Sequence, residues 1–146
     1  MAGELITVRG TEKTIVSSGT AVSSGAMSAA SAATYGTTAD GADYPDAEFV
    51  LTVTFGAAPT VMRTLALYAR PLDIDGTSDS PVPSTTYQQK MVGSFVVSGD
   101  TTQSLICTAR NLPKLAEYYV YNVDTGQSMS AGWTLKVTPL SRTKAA

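Results

Sequence analysis

The stretch "AEFVLTVTF", Ala47 to Phe55, carries the pattern that decides the fold. Its large apolar side chains, Phe49, Leu51, Val53 and Phe55, occupy every second position, and the residues between them are mostly polar. Successive side chains of a strand point to opposite faces, so this alternation predicts a strand with one face in a core.

The other strand candidates share this alternation and are rich in the same residue types, Val, Leu, Thr, Tyr and Phe. They are predicted at residues 63–72, 90–100, 103–112, 117–123 and 133–138. The segments 90–100 and 103–112 are joined by the short turn "SGDTT", and we expect them to be neighbours. In the second half of the chain, "LPKLAEYY" could form at most a single helical turn. Roughly eight short strands separated by Gly and Pro predict an all-β fold. Pattern alone does not separate a sandwich, a jelly roll and a small barrel.

The first third of the chain has a different composition. Residues 17–43 form a nearly uncharged run of Ser, Ala, Gly and Thr. They could be strands at 13–16 and 20–31, a flexible arm that orders against a partner, or, at "SAASAA", one or two helical turns. We favour strands at Ile15 and Val22 followed by a loop. The predicted organisation is a leader at 1–43, contributing the first strands, and a β-sandwich at 44–146, within a single domain.

Composition limits the classes of partner. The 146 residues suit one domain, and with 15% charged residues and a net charge of -2 we expect neither nucleic acid nor membrane as a partner. Cys107 stands alone in "SLICTA", which excludes an intramolecular disulfide and suggests a small core residue. The start "MAGELITVRG" lacks the pattern of a secretory signal, so we expect synthesis in a cytoplasm.

Few chemistries fit the residue types present. Histidine is absent, which removes the usual general base and the Ser-His and Cys-His nucleophile arrangements. Glu48 and Glu117 could form a glycosidase pair, but each is more typical of an outward-facing strand residue. Asp73, Asp75 and Asp79 in "DIDGTSD" depart from calcium-loop spacing and indicate an Asp-Gly turn. We expect no catalytic activity, no cofactor and no metal.

Two features could bind a partner. The long loop from Asp73 to Tyr87 is one, since long loops in compact domains are usually functional or disordered. The cluster Tyr118, Tyr119 and Tyr121 is the other, as a platform for sugar stacking or protein docking. Alternation places Tyr119 and Tyr121 on one face and Tyr118 on the other.

The order "YPDAEFVLTVTFGAAP", "TLALYARPLDIDGT", "VGSFVV" and "EYYVYNVDTGQSMSAGWTLKVTPL" resembles small virion proteins of tailed bacteriophages. More narrowly, it resembles the jelly-roll cement or decoration proteins on the capsid exterior, over the range from Tyr44 to Leu140. The resemblance implies an antiparallel jelly-roll-like β-sandwich without catalysis. It further implies a protein that bridges subunits of the major capsid protein, stiffens the shell, and acts as a dimer or trimer.

This hypothesis places protein contacts on the larger side chains of the leader and the long loop, namely Val16, Val22, Met27, Tyr35, Ile74, Val82 and Tyr87. The alternative is a carbohydrate-binding or receptor-binding virion module, like those of tail fibres or baseplates. Its stacking residues would be Tyr118, Tyr119, Tyr121 and Trp133. An open aromatic ring in a groove favours the alternative, whereas covered rings and an apolar, weakly charged patch favour cement.

Overall fold

A computed structural model describes residues 5–37, 44–73, 75–88 and 90–144 of the chain. This part contains nine strands and no helix, so it holds no helix of the length and apolarity needed to cross a membrane. The strands are β1 (Leu5–Arg9), β2 (Lys13–Gly19), β3 (Ala26–Met27), β4 (Asp46–Thr54), β5 (Thr64–Pro71), β6 (Met91–Val96), β7 (Thr102–Ala109), β8 (Ala116–Asn122) and β9 (Trp133–Lys144).

The strands form two antiparallel sheets. The larger has the order β1-β9-β4-β7, and β2 also pairs with β9, while the smaller has the order β3-β8-β5-β6. The long β9 accommodates both N-terminal strands, because Arg9 pairs with Leu140 and Lys13 with Val137. The predicted all-β antiparallel sandwich is confirmed.

The core lies between the two sheets and is built by the alternation seen in the sequence. Phe49, Leu51 and Val53 of β4 are buried, as are Leu65 and Leu67 of β5. At one end, the buried rings of Tyr35, Phe49 and Tyr118 pack together, with the Phe49 and Tyr118 centroids 5.1 Å apart. These contacts hold the sheets face to face.

The small-residue leader is part of the sandwich over its described residues, 5–37. Beyond β2, which contains Ile15 as predicted, Val22 forms an isolated bridge with Met129. The chain then runs beside β8, where the Ser28 and Ser31 hydroxyls accept hydrogen bonds from the backbone N–H groups of Val120 and Tyr118. "SAASAA" forms no helix. Small side chains suit this segment because its backbone lies close to β8.

The segments around β6 and β7 are neighbours, but they stack in different sheets and do not pair as a hairpin. The turn between them crosses from one sheet to the other. The buried Gln103 side chain holds this turn: its Oε1 accepts from the Ser98 N–H at 2.8 Å, and its Nε2 donates to the Asp100 carbonyl at 2.6 Å. A side chain thus replaces the ladder bonds that a hairpin would have made.

Candidate contact surface

The outer face of the four-stranded sheet carries an apolar cluster. Strand register places Tyr119 opposite Tyr68 and Tyr121 opposite Ala66, and the Tyr68 and Tyr121 rings lie 6.3 Å apart. Met27 and other apolar residues pack against this group. We call this surface the tyrosine face; it comprises Ala66, Tyr68, Tyr119, Tyr121, Met27 and Val123.

One ion pair lies at one end of the tyrosine face. Arg70 and Glu117 form a 3.1 Å ion pair, with both side chains largely covered. Tyr119 donates its hydroxyl to the same carboxylate at 3.1 Å. Burial, followed by the Glu117 charge, raises the pKa of Tyr119, and the hydrogen bond to Glu117 raises the pKa of Arg70. The tyrosine therefore stays neutral at physiological pH, next to an ion pair with no net charge.

The long loop is fastened to this face. The Arg70 Nε donates to the Ser80 carbonyl at 2.6 Å, and the Tyr68 hydroxyl donates to the Gln88 Oε1 at 3.0 Å. We call residues 73–88 the pinned loop, since these two contacts tie its middle and its end to β5. Such anchoring reduces the conformational entropy that a partner would have to remove on binding.

The loop's carboxylates stabilise its own backbone. Asp79 Oδ1 accepts from the Asp73 N–H at 2.9 Å, and Asp73 Oδ1 accepts from the Asp75 N–H at 3.3 Å. This is the turn geometry that the sequence indicates for "DIDGTSD". Among the described residues, no group of three or more His, Cys, Asp or Glu is placed to hold a metal ion.

Apolar side chains project from the pinned loop. Two of the contact candidates lie here, and Val82 is 56% exposed and Tyr87 is 44% exposed. Ile74, the third candidate in this loop, lies outside the described residues. Pro83, which follows Val82 directly, is buried. The loop therefore presents apolar groups on a fixed support.

The candidates in the leader lie elsewhere. Val16, Val22 and Tyr35 belong to the core, so their side chains are not available as the contact surface that the sequence predicted. Many of the small residues between them, such as Ser23 and Ala30, are exposed. Met27 is half-buried at the border of the tyrosine face and is the one leader candidate on the outer surface.

The proposed stacking rings are mostly covered. Tyr118 is in the core, and Trp133 lies against Gly19, where any side chain would overlap the indole ring. The indole Nε1 donates to the Thr20 carbonyl at 2.7 Å. Tyr119 is 4% exposed on the tyrosine face, and Tyr121 is half-buried there. Of these four candidate residues, Tyr121 is the one that is not buried.

The two candidate glycosidase carboxylates do not face each other. Glu48 projects from the outer face of the large sheet, since its neighbours in β4 are buried, whereas Glu117 lies on the tyrosine face.

The sequence did not identify Arg70 and Gln88 as anchors of the loop. Alternation places Arg70 with Tyr68 on one face of β5, but a contact with a loop residue has no sequence signature.

No protein-family model matches the chain, and no curated protein matches it. Two solved structures are similar to it. One is a family 6 carbohydrate-binding module, with a TM-score of 0.33 and 13% identity over 94% of this chain and 67% of that one. The other is from Bacillus endospore appendages, described as disulfide-linked pili, with a TM-score of 0.27 and 10% identity over 100% and 93% of the two chains. At such TM-scores these likenesses carry no argument about function.

Proposed function

We propose that this chain is a non-enzymatic structural protein of a tailed-phage virion. In this proposal it binds the outside of the shell formed by the major capsid protein and stabilises it, as a cement or decoration protein does. The observation that carries the proposal is the pinned loop, which exposes the side chains of Val82 and Tyr87 and is tied to β5 by hydrogen bonds from Arg70 and Tyr68. The resemblance of residues 44–140 to cement proteins supports the same assignment.

The pinned loop suits adhesion because it is already ordered. Exposed apolar side chains on an anchored loop can be buried against a partner without the loss of loop entropy that a mobile segment would incur. The surface area also suffices. The chain exposes 7612 Å², and a standard interface takes about 800 Å² from each partner, so a shell contact and a self contact together occupy about a fifth of it.

The competing function is carbohydrate binding, and Tyr121 is the feature that favours it. Tyr121 is half-buried beside Tyr68 on the tyrosine face and retains some exposure to solvent. A stacking site needs an open ring in a groove. The covered positions of Tyr118, Tyr119 and Trp133 leave this function a single partial platform, which is why we place it second.

The test is sedimentation with empty shells assembled from the major capsid protein of the genome that encodes this chain. We expect the wild-type protein to cosediment at a saturating ratio and to raise the temperature at which the shells rupture. A protein that stays in the supernatant at every concentration contradicts the proposal. Binding to a glycan array that is lost in Tyr121→Ala would support the competing function.

Matched variants locate the contact. Val82→Glu and Tyr87→Glu place a charge on the two exposed apolar residues of the pinned loop, and we expect each to weaken shell binding at least tenfold. Thr77→Glu adds the same charge at another exposed position of this loop and should bind like the wild type. If all three variants bind the shells as tightly as the wild type, the loop does not form the contact.

A further inference from the structure

Strand β7 forms an open edge of the large sheet that lacks the usual protections. It pairs only with β4, it is eight residues long, and its register with β4 runs without a bulge. Its sequence, "TQSLICTA", contains neither a charge nor a proline. Natural edge strands are typically shortened, bulged, charged or covered, because an open ladder invites pairing with another strand.

The other described edges differ from β7. Strand β1 carries Arg9, β2 carries Lys13 and has two register shifts against β9, and β3 has two residues. Strand β6, which ends the small sheet on the same side of the sandwich as β7, has a register shift between its pairs with Leu67 and Tyr68. Strand β7 is thus the one long, regular and uncharged edge in the described part of the chain.

A single hydrogen bond shows which backbone groups of β7 are free. The Phe55 N–H donates to the Thr101 carbonyl at 2.7 Å, so the odd-numbered residues that continue this register exchange bonds with β4. The even-numbered residues therefore direct their N–H and C=O groups to the open edge. They are Thr102, Ser104, Ile106 and Thr108, all exposed, and none bonds through its backbone to a described residue.

The ends of this edge have opposite charges. Asp100 precedes β7 and Arg110 follows it, and Arg110 forms no ion pair with the described residues. Lys90 reaches over the same end, where its Nζ donates to the Asn111 carbonyl at 3.3 Å. An acidic end, an uncharged centre and a basic end make the edge complementary to itself in the antiparallel direction.

Exposed aliphatic side chains concentrate on the same side of the sandwich. Ile106 is 63% exposed on β7, and Met91 and Val96 on β6 are also more than half exposed. Val61 and Met62 lie at the end of β6, where the Met62 N–H donates to the Val97 carbonyl. A partner that docked along β7 could cover part of this apolar surface.

We propose that β7 pairs antiparallel with β7 of a second copy of this chain, which joins the two large sheets across a two-fold axis. Charge complementarity selects the register. Asp100 opposite Arg110 of the partner places Ser104 opposite the partner's Ile106 and Thr102 opposite its Thr108, and these four residues are the ones with free backbone groups. Leu105 then lies on the axis, against its own copy. This proposal does not depend on the proposed function, because the dimer forms without a shell.

The first test is native mass by light scattering over a range of protein concentrations. We expect twice the 15.2 kDa of the chain. A monomer at every concentration, or a trimer, overturns the proposal. Ile106→Lys charges the edge at an exposed position and should give a folded monomer, as judged by circular dichroism. The control is Thr138→Lys, on the outer face of β9 and two strands from the edge, which should remain dimeric.

The second test reads the register by disulfide formation in a Cys107→Ala background. Residues directly opposite each other lie within reach of a disulfide, whereas diagonal ones lie about 7–8 Å apart. Under oxidation, a mixture of Ser104→Cys and Ile106→Cys proteins should therefore cross-link. Cross-linking of Ser104→Cys alone, or of Ile106→Cys alone, would indicate a register shifted by two residues and contradict the charge argument. Dimers that cross-link in none of the samples would show that β7 is not the interface.

The third test exchanges the charges. Arg110→Asp should weaken dimerisation at least tenfold, because it places like charges opposite each other at both ends of the pair. The double variant Asp100→Arg/Arg110→Asp should restore it. If the double variant is folded but does not dimerise, the proposed ion pair and the register that depends on it are wrong.

Discussion

Gly93→Ala tests how closely the two sheets approach each other at their open side. A Cβ atom added at Gly93 of β6 would lie 2.8 Å from the Cys107 Sγ and 3.7 Å from its Cβ. The first distance requires a shift, and the second is ordinary van der Waals contact. The glycine thus makes room for a single atom, the sulfur of the residue facing it from β7.

The magnitude follows from this geometry. Overpacking of a core typically costs about 1–3 kcal/mol, and here the cost falls at the lower end because the obstructing atom is the tip of a short side chain. Gly to Ala in a strand also gains about 0.5–1 kcal/mol from the backbone. The two effects nearly cancel, so we expect Gly93→Ala to lower the free energy of unfolding of the wild type by no more than about 0.5 kcal/mol. In a Cys107→Ala background, where the sulfur is gone, it should raise that free energy.

The assay is a double-mutant cycle by urea denaturation of four proteins: wild type, each single variant and the double variant. The expected coupling between Gly93 and Cys107 is about 1–3 kcal/mol. If the two segments formed a hairpin instead, their Cβ atoms would lie about 4.5–5.5 Å apart and an alanine would fit. Effects that add within about 0.5 kcal/mol would therefore refute the face-to-face packing of β6 and β7.

Three further predictions concern the core. Leu51→Asp buries an unpaired charge and should prevent folding, whereas Thr52→Asp, on the exposed face of the same strand, should fold, as judged by circular dichroism. The Tyr118 hydroxyl has no hydrogen-bond partner among the described residues, so Tyr118→Phe should leave the urea midpoint unchanged or raise the free energy of unfolding by up to about 1 kcal/mol. Burial raises the pKa of Cys107 to about 11. Since the protonated thiol is the form that the fold favours, its contribution is complete below about pH 9 and is lost as the pH rises through 11. Over that range the wild type should lose more stability than Cys107→Ala.

Each of these predictions has a contradicting result. A soluble Leu51→Asp protein that melts like the wild type would show that this face of β4 is not part of the core. A clear loss of stability in Tyr118→Phe would reveal a partner for its hydroxyl. Parallel stability curves for wild type and Cys107→Ala between pH 9 and 11 would show that the thiol is accessible to water.

The sequence predicted the strands well because their alternation is a local property. Six of the predicted segments overlap β4 to β9, although β9 continues to Lys144, beyond the predicted end at Thr138. The division of β5 into an inner face with Leu65 and an outer face with Tyr68 is confirmed. Pairing is not local. Whether β7 pairs with β6 or with β4 depends on the turn held by Gln103, and no pattern within either strand encodes that choice.

The candidate site was predicted in part. Composition singled out the pinned loop, and its exposed residues Val82 and Tyr87 follow from that prediction. The predicted contacts at Val16, Val22 and Tyr35 in the leader were wrong. A run of small uncharged residues has the same sequence pattern in a flexible arm as in a segment packed beside β8. The free backbone groups of β7 depend on hydrogen-bond parity, which becomes visible only when its partner strand is known.

The most direct test of the account is calorimetry of accessory-free shells with and without this protein. The account predicts that the wild type raises the rupture temperature of the shells, that Val82→Glu fails to do so, and that Thr77→Glu behaves like the wild type. Shells that rupture at the same temperature with and without saturating wild-type protein would contradict the role in shell stabilisation.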